Sequence, residues 1–166
     1  MVVRNILGRF AGFTWRVTVL HVLTYLVIGV ISYLLIAKRY WTGPGAVPGL
    51  RDPQSQHVQV WIWPAQVLRS ILHAAVLYPL RAALLHMGGW GGLMIAAILL
   101  IIGSVAGISG LIEGLVFTTT THLGVFLAHL PEIVIQTLLF GYLLLVWEKR
   151  VEEIRALRAG PVRVQS

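Results

Sequence analysis

The chain has 166 residues, of which 57% are hydrophobic and 11% charged, with a formal net charge of +7 and no cysteine. Soluble domains carry roughly 25% charged residues, so this composition excludes an ordinary water-soluble fold of a single domain's length. The missing cysteines exclude disulfides and thiolate metal sites. The positive balance comes with no base-reading or phosphate-cradling motif, so it points to membrane orientation and lipid headgroups, with no nucleic-acid partner expected.

In the first stretch Arg4, Arg9 and Arg16 divide the chain into short apolar pieces, with Ile6, Leu7, Phe10 and Phe13 at helical spacing. This pattern is unlike a cleaved signal peptide. It predicts a short helix in the membrane interface, or a solvated lead-in to the first span. From Val17 to Ala37 there are 21 residues without Asp, Glu, Lys or Arg. About 20 apolar residues cross the hydrocarbon core, so this is span 1, closed by Lys38-Arg39-Tyr40-Trp41. A loop to about His57 follows, irregular because of Gly43, Pro44, Gly45, Pro48, Gly49 and Pro53.

Span 2, 61–85, opens on Trp61-Ile62-Trp63-Pro64, with the proline placed in the first helical turn. Arg69, His73, Pro79 and Arg81 weaken its hydropathy, but an even span count puts both basic termini on one side. The run Met87-Gly88-Gly89-Trp90-Gly91-Gly92 reads as a tight turn. Span 3, 90–117, lies in a region with no charge across 25 residues from Gly88 to Ile112. Its Gly103, Gly107, Gly110 and Gly114 line one smooth face for close helix approach, within the chain or to a second copy in a homo-oligomer. Span 4, 122–147, follows Thr118 to Thr121, with Thr121 as a candidate N-cap. A polar helical tail, 148–158, carries Val151, Ile154 and Leu157 on one side and stops at Gly160-Pro161.

The expected architecture is therefore all-α, a single membrane domain forming a four-helix antiparallel bundle. Three basic residues at the N-terminus and five in the tail face three in the long first loop. That bias places both termini in the cytoplasm of a cell-membrane protein.

Ionisable groups inside a span cost about 2.5–3.5 kcal/mol on insertion scales and usually face the bundle interior. Gln66, Arg69 and His73 stand at i, i+3, i+7 on span 2, and His129, Glu132 and Gln136 repeat that spacing on span 4. Each trio shares one helix face. At ~1.5 Å per residue, Arg69, Glu113 and His129 lie roughly 8–10 Å below the outer boundary, and His73 and Glu132 about 15 Å. A buried cluster in the outer half of the bilayer is expected, with Arg69 neutralised by Glu113, Glu132 or both. It would act either as a register-fixing ion pair or as a site for an anionic headgroup, a quinone-like molecule or a proton.

Arg16-x-x-x-x-His21 resembles the four-helix membrane cytochrome b subunits. The resemblance implies b-type haem, with His21, His73 and His129 as ligand candidates; span 4 has no histidine in its cytoplasmic half to pair with His21, so His73 and His129 are the expected pair, on one haem near the outer side. The arginine-bearing second span with Tyr78-Pro79, then Ile112-Glu113-Gly114, then Pro131-Glu132 and Gln136, resembles uncharacterised small bacterial membrane proteins with four spans. That resemblance implies no activity. There is no nucleophile motif, His-Glu metal helix or phosphate loop, so no catalytic residue and no resident cofactor are expected. The leading expectation is a non-enzymatic accessory or anchoring subunit among other membrane subunits. A haem- or quinone-linked redox subunit and a small transporter or proton-pathway component are the alternatives.

Overall fold

The computed structural model describes residues 2–38, 51–101 and 123–159, without the side chains of 2–5, 36, 37, 123–129 and 159. The described residues form four α-helices and no strand: α1 (Val2–Ser32), extended by a π-helical stretch Tyr33–Ala37, then α2 (Gln56–His86), α3 (Trp90–Leu100) and α4 (Leu123–Ala159). Three stretches, Ile6–Leu35, Gln56–His86 and Leu130–Arg158, are long and apolar enough to cross a membrane. The predicted loop glycines and prolines of 43–49, the remainder of span 3 with Glu113 and its four glycines, Thr118 to Thr121 and Gly160-Pro161 lie outside the described residues.

Three expected boundaries shift. No break separates an interfacial helix from span 1: α1 is continuous from Val2. Phe13 is buried, and Phe10 and Phe13 stack on Tyr78 of α2 with ring centroids 5.1 and 5.6 Å apart. A charge count could not see that packing. Likewise α2 starts before Trp61, at Gln56, because Ser55 takes an extended backbone and its side chain accepts the Val58 N–H. Pro64 therefore sits inside the helix, as do Pro79 and, in α4, Pro131. The α2–α3 turn is also shorter than its glycines imply. Only Met87 to Gly89 turn, around Gly88 at φ 61°, while Gly91 and Gly92 already belong to α3.

Those two glycines set the packing. A Cβ on Gly91 would lie 2.1 Å from the Leu84 carbonyl oxygen, and one on Gly141 would lie 2.4 Å from that of Gly92. At Gly92 and Gly141, α3 and α4 meet backbone to backbone, the small-residue contact that suits helices in lipid. Around it a core of Phe13, Val17, Leu77, Ile95, Phe140 and Leu144 fills the interior.

The outside is apolar as well. Leu23, Leu26, Val27, Val30, Ile31, Val67, Leu68, Ile71, Leu93 and Leu138 are exposed, while His21, Thr24, Gln66, Arg69, Ser70, His73, Gln136 and Glu148 are buried. A water-soluble protein sorts these residue types the other way. The arrangement suits a lipid surround, where every interior polar group must find its partners within the bundle. Gly141→Ala should lower the thermal unfolding midpoint in detergent, with a loss of ~1–3 kcal/mol from overpacking. Gly8, whose Cβ position is empty out to 4 Å, should tolerate Ala without loss.

Candidate functional site

Polar side chains meet at three levels along the bundle. At the first, Glu148 of α4 is shared by two arginines from different helices. Arg16 Nε of α1 donates to its Oε1, and Arg81 Nε of α2 donates to its Oε2 at 2.5 Å. One turn further along α4, Glu152 Oε1 accepts from Arg81 Nη2 and from Arg155 Nη1, the latter at 2.8 Å. The Glu148 side chain is 3% exposed, against 44% for Glu152. This layer joins the middle of α1 to the last turns of α2 and the later part of α4. Trp15 and Trp147 neighbour its members in sequence, and Trp61 and Trp63 mark the opposite end of α2.

The helix faces explain why these residues meet. On α2, Ala74, Leu77 and Leu84 are buried at helical spacing, and Arg81 stands between the last two on that stripe. On α4, Gly141, Leu145, Glu148, Glu152 and Arg155 recur at offsets of 4, 7, 11 and 14. Glu148 thus belongs to the buried face, although it opens the stretch expected as a polar helical tail. It is an acid inside the bundle in addition to the expected Glu113 and Glu132.

The second level holds most of the predicted cluster. Gln66, Arg69 and His73 are all buried on α2, and Gln136 is buried on α4. Their unforeseen companion is His21. Its Nε2 lies 3.0 Å from Gln66 Oε1, and its ring packs edge to face on His73, with centroids 5.0 Å apart and planes at 89°. Phe140, one turn from Gln136, closes the other side at 6.0 Å. Arg69 is within electrostatic reach of both imidazoles. A span 1 that starts at Val17 puts His21 near the cytoplasmic boundary, whereas the span 2 count puts His73 about 15 Å below the outer one. The continuous α1 and its pairing with α4 through Arg16 bring the two together.

At the third level Ser32, where α1 passes into its π-helical extension, donates to Glu132 Oε2 at 2.7 Å. Glu132 is half-buried beside Gly29, where a Cβ would come within 3.7 Å of Oε1. Ser32 was not among the expected site residues, and only its position opposite Pro131-Glu132 in the folded bundle reveals it. Glu113 and the His129 side chain lie outside the described residues, so the expected meetings of Arg69 with Glu113 and of His73 with His129 lie there too.

The histidines do not fit a haem clamped between His21 and His73. Their rings touch each other, leaving no gap for a macrocycle, and the His21 Nε2 that would ligate iron faces Gln66. Among the described residues no group of three His, Asp or Glu side chains is placed to hold a metal ion. Comparison with protein families, with curated proteins and with solved structures gives no match.

The shared carboxylate predicts an asymmetry. Glu148→Gln strands two partly buried guanidinia and should cost ~3–5 kcal/mol, the usual loss when one member of a buried ion pair is removed. Glu152→Gln, at a half-exposed position, should cost no more than about 1 kcal/mol. Thermal midpoints and folded yields of the two purified variants compare them directly.

Proposed function

We propose that the chain is a four-span protein of the cell membrane, with both termini in the cytoplasm, serving as a non-enzymatic accessory or anchoring subunit of a larger membrane complex. The observation that carries this reading is the far end of α4. Past the Arg16–Glu148–Arg81 layer the helix continues to Ala159 and presents Ile154 at 49% and Leu157 at 82% exposure. Large apolar side chains left exposed on the last turns of that helix are suited to burial against a partner. The described residues are otherwise helices of bundle or span, so catalytic mass would come from other subunits.

Two measurements test the reading. The chain has no native cysteine, so single cysteines report topology cleanly. Those at Gly45 and Thr120 should react with an impermeant reagent from outside, and those at Met87 and Ala159 only after permeabilisation. Outside labelling at Met87 would remove span 2 from the membrane. In native gels of mildly extracted membranes, the parent should migrate well above its monomer mass. The pair Ile154→Ser and Leu157→Ser should shift it toward the monomer without changing its thermal midpoint. A parent that runs as the monomer overturns the subunit reading.

A further inference from the structure

Beside the Glu148 layer, α1, α2 and α4 leave a cleft of about 660 Å³. Arg9, Arg16, Arg81 and Arg155 line it together with Glu152, and Tyr78, Pro79, Ala82 and Ala156 form its apolar wall. Even counting Glu148 beneath the floor, four guanidinia face two carboxylates. Both carboxylates are already divided, Glu148 between Arg16 and Arg81 and Glu152 between Arg81 and Arg155. Each guanidinium is a fork of several N–H donors. Two positive charges in excess, with donors to spare and converging from three helices, match a phosphate oxyanion, which arginine binds with paired hydrogen bonds.

We infer that this cleft binds a phosphate ester group, carried either by an anionic phospholipid headgroup or by a small soluble phosphate. Position and lining favour the lipid. Trp15 and Trp147 beside this layer are suited to a membrane interface, and Arg9 and Arg155 lie roughly 10 Å further along the helix axes than Arg16 and Glu148, on the side where headgroup phosphates would then sit. Tyr78, fixed by Phe10 and Phe13, gives the cleft a rigid apolar side against which a glycerol backbone can rest. Basic pockets between membrane helices hold such headgroups. The inference does not rest on the subunit reading, because a monomer would retain the cleft.

The test uses the full chain purified in a neutral detergent, with the thermal midpoint followed during titration. Phosphatidylglycerol, phosphatidylcholine and inorganic phosphate are the probes. Phosphatidylglycerol should raise the midpoint saturably and phosphatidylcholine should not. The variant Arg9→Gln with Arg155→Gln leaves the Arg16–Glu148–Arg81 contacts in place, and it should raise the half-saturating concentration about tenfold or more through lost charged hydrogen bonds. A control, Lys149→Gln with Arg150→Gln, removes the same charge from the same end of α4 outside the cleft and should change it less than about twofold. If only phosphatidylglycerol acts, the ligand is a lipid. If inorganic phosphate alone reproduces the rise and the loss in the variant, it is a soluble phosphate. If neither shifts the midpoint, or if the control loses as much as the cleft variant, the site does not exist.

Discussion

One carboxylate holds the register of three helices. Glu148 presents its two oxygens to arginines on α1 and α2, and the contact is sheltered from water by its own burial. A helix can slide along its neighbour by a turn, about 5.4 Å, without much change in generic apolar packing. It cannot do so while a buried charge needs a particular partner. With α1 and α2 both tied to one position on α4, the imidazole of His21 falls against that of His73, and Phe140 closes over it. The glycine contact between α3 and α4 constrains the remaining helix independently, through shape.

The lipid-like exterior explains why such devices are needed. In water, burying a leucine is itself a driving force of ~25 cal/mol per Å². In a bilayer a leucine on the outside is already solvated by hydrocarbon, so a core of Leu77, Leu144 and Phe140 stabilises only through closer packing than lipid provides. Gly92 and Gly141 supply that closeness by removing side chains. The polar layers supply directionality. Thr24 and Ser70 show the local version of the same rule, since their hydroxyls bond back to carbonyls one turn earlier in their own helices.

Much of this was legible in the residues. Charge-free runs located α1 and α3, and the i, i+3, i+7 spacing of Gln66, Arg69 and His73 placed all three on a buried face. What escaped was relative height. Span boundaries drawn at the nearest charge assume that arginine marks the membrane edge. Arg16, neutralised by Glu148, can sit on the core side of that line, and α1 therefore enters the bundle earlier than its hydropathy implies. The same assumption hid Glu148 at the head of a polar tail, although its spacing from Gly141 and Leu145 put it on the packed face. Neither error is visible along one helix, because the compensating charge comes from another.

Scarcity of acid decides where the remaining charge goes. The chain has 6 acidic residues against 13 basic ones. Asp52 is in the first loop, where it accepts the Gln54 amide, Glu132 bonds Ser32, and Glu153 is exposed. Among the described acids, Glu148 and Glu152 alone pair with the arginines where α1, α2 and α4 meet. A single acid serving two guanidinia fixes geometry without restoring neutrality, so the same interaction that locks the helices leaves their meeting point positive. Structural pairing and surplus charge are thus two consequences of one arrangement. A bundle with one carboxylate per arginine would be no better registered, and it would have nothing left with which to hold an anion.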